Sequence, residues 1–156
     1  IIQNVHGKLV RGYTYGGHPG TVAGGVAALE KNEKDDILAN VNEQENHLMS
    51  GLLNLKKKYP IVYDIRGRGL FFGLELASRQ DGTPFMPDER IAEKLNEKAM
   101  ELGAVFYPGS GTVNGHAGAH MIIAPRLIIH RDEIDELIGL LDSALQALMD
   151  SMKEGT

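Results

Sequence analysis

The sequence has no cysteine, which excludes disulfides, thiolate metal sites and a cysteine nucleophile. It has no long apolar run: nothing approaches the ~20 consecutive apolar residues that a membrane-spanning helix needs. It has no basic stripe either. Its 16 Lys and Arg are interspersed among 21 Asp and Glu, for a net charge of −5, and that argues against a nucleic-acid surface. No G-x-x-x-x-G-K-[ST] segment occurs, so a P-loop is excluded. The start, Ile1-Ile2-Gln3, has neither an initiator Met nor the three regions of a signal peptide. The expectation is an excised or processed piece that works with a partner segment. What remains is a soluble globular class: 156 residues, 42% apolar and 24% charged, suffice for one compact domain with a real core.

Glycine is in excess, at 19 of 156 residues against a usual ~7%. Fifteen fall in three clusters, between Gly7 and Gly25, Gly67 and Gly73, and Gly103 and Gly118. Clustering points to tight backbone geometry at a few places rather than to a flexible linker.

Residues 1–20 read as irregular. From Thr21 to about Lys34 small residues predict a helix that another backbone can approach closely, with Gly24-Gly25 costing roughly 1 kcal/mol each. Asp35-Asp36 opens a second helix whose stripe is Ile37, Val41, Leu48, Leu52 and Leu55, and Pro60 stops it. Ile61–Ile65 and Leu70–Leu76 read as two strands, or one bent strand, interrupted at Gly67-Arg68-Gly69. Residues 88–102 predict a helix capped by Asp88 and ended by Gly103. A short strand follows at 104–107, a glycine-rich loop at 108–118 and a strand at 121–124. The last helix starts near Arg131, with Glu133 placed as in a capping box after His130. Its stripe is Ile134, Leu137, Ile138, Leu141, Leu145 and Leu148. The predicted fold is α+β: a small, mostly antiparallel sheet with helices on one face.

Few motifs carry chemistry. Gly67-Gly69-Gly73 and Gly109-Gly111-Gly115 each read G-x-G-x-x-x-G, one residue too long for a dinucleotide fingerprint and wrongly placed between elements. The first reads instead as a bulge or a close strand crossing. His116 and His120 have a helical metal-pair spacing, but Gly115 and Gly118 argue against a helix, and no metal site is expected. The most specific feature is Gly12-Tyr13-Thr14-Tyr15-Gly16-Gly17-His18-Pro19-Gly20. The Thr14 hydroxyl, the Gly16 and Gly17 amides and the helix start near Thr21 suit an anion such as phosphate. Tyr13 and Tyr15 can flank a flat ring or pack in an interface. From the residues alone, a phosphate turn and a helix-entry turn with aromatic plugs stand equal.

Residues 12–29, GYTYGGHPGTVAGGVAAL, resemble the segment that enters the C-terminal part of class III aminotransferases. The likeness continues in order through GRGLFFGLEL at 67–76, AVFYPGSG at 104–111 and HMIIAPRLIIHRDEIDELI at 120–138. It covers almost the whole chain and is nearest the ω-amino acid–pyruvate type. The resemblance implies the C-terminal domain of a fold-type I enzyme using pyridoxal 5′-phosphate (PLP), cytoplasmic and homodimeric, acting on an amino donor and a 2-oxo acid. Residues 1–34 would be the end of a large-domain segment and a connecting helix, and 35–156 the small domain.

By motif position the resemblance assigns Thr14 to the PLP phosphate across a dimer interface, with Tyr13 lining the same place, His18-Pro19 setting the turn, and 108–118 near the substrate entrance. The Schiff-base lysine lies in the missing large domain. None of the nine lysines here has a matching context, so no catalytic residue is assigned and the piece alone is expected to be inactive.

Several positions depart from the family pattern. Gly16 stands for a serine, Arg11 for a histidine, Ala119 for an aspartate and Arg126 for a proline, and no arginine lies between Tyr107 and His120. A monocarboxylate or amine partner is therefore open. Arg126 reads as a surface charge more readily than as a substrate ligand. Arg66 and Arg68 read as salt-bridge donors to the large domain. Two other readings stand beside the aminotransferase: a non-catalytic structural or dimerisation fragment, and another PLP reaction such as an aminomutase or decarboxylase.

Overall fold

The computed structural model describes residues 12–154, so Lys8 and Arg11 lie outside the described residues. The chain divides into two compact units, Ile1–Ile37 and Leu38–Thr156.

The described part of the first unit is a turn over residues 14–17 followed by helix α1, Pro19–Lys34. Its start has a clear chemical cause. Pro19 fills the first helical position, where its missing N–H costs nothing, and His18 caps the helix, its side chain accepting from the Gly20 amide. No residue of α1 is buried, and nothing lies within 4 Å of a Cβ built on Gly24 or Gly25.

The second unit is a four-stranded antiparallel sheet with helices on one face. Helix α2 spans Ile37–Lys58; Leu48, Leu52 and Leu55 of its expected stripe are buried. Strands β1 (Val62–Arg68) and β2 (Phe71–Leu76) form a hairpin. Helix α3 runs Ile91–Glu101. Strands β3 (Tyr107–Val113) and β4 (Ala117–Ile123) form a second hairpin, and helix α4 spans Arg131–Glu154. The strand order is β1-β2-β4-β3. Alternation marks the covered face: Phe72, Leu74 and Leu76 of β2 and Ala119, Met121 and Ile123 of β4 are buried, whereas the residues between them are not. On that face they share one core with Leu95 of α3 and with Ile134, Leu141, Leu145 and Leu148 of α4.

Four local expectations change. Gly67–Gly73 is neither a bulge nor a strand crossing. Arg68 pairs with Phe71 across the two-residue loop Gly69-Leu70, and Gly69 has φ +62°. Glycine with positive φ at the first loop position is what a II′ hairpin turn requires. Residues 108–118 are not a loop, because β3 and β4 take most of them and only 114–116 turn. Pro108 and the glycines are tolerated because β3 is an edge strand. The expected strand at 104–107 begins at Tyr107 instead. Asp88 does not cap α3; it lies in a 3₁₀ turn, Pro87–Glu89, and Arg90 in left-handed conformation is the N-cap. Gly103 does end α3, at φ +92°. The Gly103 amide donates to the Met100 carbonyl at 3.0 Å and the Ala104 amide to the Ala99 carbonyl at 2.9 Å, the paired bonds of a Schellman motif.

Candidate functional site

The turn before α1 is the place where sequence and structure together offer anion chemistry. The Gly16 amide donates to the Tyr13 carbonyl at 2.9 Å and the His18 amide to the Tyr15 carbonyl at 3.1 Å. Gly17 has φ +78°, a conformation that glycine adopts at no steric cost. The Gly20 amide donates to His18 Nδ1 at 3.2 Å, and Thr21 Oγ1 donates to the His18 carbonyl at 2.8 Å. The Gly16 amide, expected to be available to an anion, is therefore spent inside the turn. Thr14 is exposed, and the turn leads directly into the N-terminal, positive end of a 16-residue helix. Tyr13 and Tyr15 are 73% and 75% exposed, and the Tyr15 ring meets His18 edge-on at 6.4 Å between centroids. A hydroxyl beside a helix N-terminus is the donor chemistry of a phosphate cradle, and the turn fits such a group.

The other singled-out residues lie elsewhere. Arg66 is held within this chain: it pairs with Glu75 at 2.6 Å on the neighbouring strand and with Asp64 at 3.3 Å on its own. Arg126 pairs with Glu133, whose second carboxylate oxygen accepts the His130 amide at 2.9 Å. That carboxylate closes the start of α4 as the S/T-x-x-E spacing predicts, with histidine in the cap position. His116 lies in the β3–β4 turn and His120 on β4, so they do not form a helical pair. Among the described residues no group of three His, Cys, Asp or Glu could hold a metal ion.

His120 has a feature that spacing does not reveal. Its ring lies over Gly109, where an added Cβ would stand 2.4 Å from His120 Cε1, and its buried Nδ1 has no hydrogen-bond partner. The signal was the cross-strand pairing of a glycine with a histidine, which is visible only once the register is known.

The helix layer is tied by a polar cluster between α2 and α4. Lys58 Nζ donates to Asp142 Oδ1 at 2.7 Å and Oδ2 at 2.8 Å, and the buried Tyr59 hydroxyl donates to the Asp142 carbonyl at 3.0 Å. Burial pushes the Asp142 carboxyl up, but the Lys58 ammonium and the Tyr59 hydroxyl outweigh it, so Asp142 titrates below its ordinary range. The bond to Asp142 in turn holds the Lys58 ammonium above its usual value. His47 Nε2 lies 2.6 Å from Asp135 Oδ1 in the same seam. These groups fasten α2 to α4.

The model of the family described as aminotransferase class-III matches residues 1–145. An uncharacterised aminotransferase of Schizosaccharomyces pombe is 33% identical over 134 residues, covering 85% of this chain and 29% of its own. An acetylornithine aminotransferase of Caldanaerobacter subterraneus is 32% identical, covering 86% and 30%. A taurine–pyruvate aminotransferase of Bilophila wadsworthia is 29% identical, covering 84% and 28%. Among solved structures, a transaminase from a marine Virgibacillus superposes with a TM-score of 0.81 at 26% identity, covering 93% of this chain and 32% of that one. An amine transaminase from an uncultivated Pseudomonas species, in a PLP-bound form, gives 0.77 at 26% identity, covering 94% and 32%. The chain thus spans less than a third of the length of each of these three curated relatives. With the α+β fold and the four ordered motifs, these matches establish that the chain belongs to the class III aminotransferase family.

Proposed function

We propose that residues 1–156 are the C-terminal part of a PLP-dependent enzyme that moves an amino group between an amine or ω-amino acid and a 2-oxo acid such as pyruvate. Class III membership supports the reaction type and implies PLP in the intact enzyme. The taurine–pyruvate and amine specificities named for two of the similar proteins support the substrate pair. In this reading 1–34 belongs to a large-domain segment and its connecting helix, and 35–156 to the small domain of a homodimer.

The observation that carries the reading is the exposed Thr14 hydroxyl at the entry to α1. When bound, PLP supplies the electron sink for the reaction. The work of this chain is to hold and orient. Thr14 Oγ1 donates to a phosphate oxygen, and the positive end of α1 favours the dianion. Tyr13 lines the same place. His18 caps α1 and Pro19 fills its first position, which sets where the turn that carries Thr14 joins the helix.

The lysines support a division of labour. None of the eight described lysines is buried, and Lys31, Lys56, Lys58, Lys98 and Lys153 are paired with carboxylates. An amine that attacks a carbonyl must be neutral, and desolvation or a neighbouring cation achieves that. In this reading the chain alone is inactive.

Incubating the intact protein with pyruvate and a panel of primary amines and ω-amino acids tests the reading. The expected result is alanine formation that depends on the donor. An isomerised or decarboxylated donor with no alanine formed contradicts it.

A further inference from the structure

An asparagine loses its side-chain amide spontaneously when the next main-chain nitrogen attacks its side-chain carbonyl carbon. The attack is easiest with glycine next, where no Cβ stands in the way, and it needs both groups free to meet. Of the chain's eight asparagines only Asn114 precedes a glycine, and of its aspartates only Asp81 does. The two pairs sit in opposite environments. Asp81 is tied down: its Oδ1 accepts from the Thr83 amide at 2.9 Å and from Thr83 Oγ1 at 2.6 Å, and the Gly82 amide donates to the Arg79 carbonyl at 3.1 Å. The Tyr63 ring covers Gly82, where an added Cβ would stand 2.7 Å from Cζ. The Thr83 bonds also hold the Asp81 carboxyl below its ordinary value, which keeps it as the carboxylate, a poor electrophile.

Asn114 is held by none of this. It and Gly115 are exposed at the tip of the β3–β4 hairpin, with φ +55° and +70°, and the His116 amide donates to the Val113 carbonyl at 3.2 Å across them. Positive φ at both central residues is the pattern of a I′ turn, which Asn-Gly and Asp-Gly favour. Among the described residues neither the Asn114 side chain nor the Gly115 amide has a hydrogen-bond partner, and nothing lies within 4 Å of a Cβ built on Gly115. Below the tip the register shifts between Ser110 and Val113, which cuts the Val113–Ala117 pair off from the regular ladder. The tip is thus closed by that pair and one turn bond, a combination that opens at low free energy.

We propose that Asn114-Gly115 is a self-modifying site, which converts to isoaspartate and aspartate in the folded protein with water as the only co-reactant. The Gly115 amide gives its proton to solvent base, and its nitrogen bonds to Asn114 Cγ. The Cγ–Nδ2 bond breaks, and the side-chain nitrogen takes a proton and leaves as ammonia. Water then opens the five-membered imide. Cleavage between the Gly115 nitrogen and Asn114 Cγ leaves aspartate. Cleavage between that nitrogen and the Asn114 main-chain carbonyl carbon leaves isoaspartate, whose main chain runs through the former side chain and is longer by a methylene. Either product adds a negative charge at the tip. Aspartate keeps the I′ turn. Isoaspartate does not, because the added methylene separates the Val113 carbonyl from the His116 amide. The step is independent of the amino transfer proposed above.

The test ages the intact protein under native, mildly alkaline conditions. Peptide mapping follows each asparagine of residues 1–156, with electron-transfer fragmentation to separate isoaspartate from aspartate. A synthetic peptide of residues 110–119 gives the unstructured rate. Asn114 should convert before any other asparagine of 1–156, to both products, at a rate within about a hundredfold of the peptide's, as for a tip that opens at small cost. A slower rate, a faster asparagine elsewhere in 1–156, or aspartate without isoaspartate overturns the proposal. Hydrogen exchange supplies a second reading. The His116 amide should exchange roughly tenfold faster in the separated isoaspartate form and at an unchanged rate in Asn114→Asp. Protection that is kept in the isoaspartate form, or lost equally in Asn114→Asp, overturns the assignment of the turn's loss to the added methylene.

Discussion

Asp142 joins two fastenings at once: its carboxylate holds Lys58 and its carbonyl accepts the Tyr59 hydroxyl. Its folded pKa lies below its unfolded one, so its stabilising effect is complete above the ordinary carboxylate pKa of ~4 and is lost as pH falls through the folded value. Acid unfolding should therefore begin less steeply in Asp142→Asn than in the parent, and following ellipticity from pH 6 to pH 2 measures this. Identical acid profiles would show that the pair contributes nothing. Tyr59 is 4% exposed, so Tyr59→Phe removes a donor from a largely dry site. The expected cost is about 1 kcal/mol of unfolding free energy by denaturant titration, in the range for one hydrogen bond. Neither partnership was legible in the sequence. Lys58 and Asp142 are 84 residues apart, and nothing local announces that their helices lie side by side.

At the scale of elements, helices were more legible than hairpins. The stripes of α2 and α4 bury as their three- and four-residue spacing predicts, because one apolar face suffices to place a helix on a sheet. The second hairpin was hidden because Pro108, Gly109 and Gly111 carry loop chemistry, and only the edge position of β3 makes them acceptable in a strand. In the first hairpin the glycines divide sharply. A Cβ on Gly67 would stand 2.2 Å from the Phe71 carbonyl oxygen and 2.7 Å from Phe72 Cα, whereas one on Gly73 meets nothing closer than 3.7 Å. Backbone cannot give way as a side-chain tip can, so Gly67→Ala should cost about 1–3 kcal/mol. Gly73→Ala should be near neutral for the hairpin itself. Thermal melts of the two variants separate these outcomes, and equal midpoints would contradict the hairpin geometry.

For the molecule as a whole, the family was readable from four short motifs in order, and the sheet and helices match that reading. The substrate pair was not readable, because the expected substrate arginine has no counterpart between Tyr107 and His120 and Arg126 is committed to Glu133. The candidate site was half readable. Thr14 is exposed in the turn that enters α1, but the Gly16 amide is consumed within that turn. The reading thus depends more heavily on Thr14 than a cradle of several amides would. On borohydride reduction in the presence of PLP, the isolated chain should retain no cofactor on any one lysine, while the intact enzyme should retain it on a lysine outside residues 1–156. The central claim is that Thr14 holds the cofactor phosphate, and equilibrium titration of the intact apoenzyme with PLP tests it most directly. The dissociation constant should rise about ten- to a hundredfold in Thr14→Ala, as for loss of a hydrogen bond to a charged group, and recover in Thr14→Ser. An unchanged constant in Thr14→Ala would contradict the account.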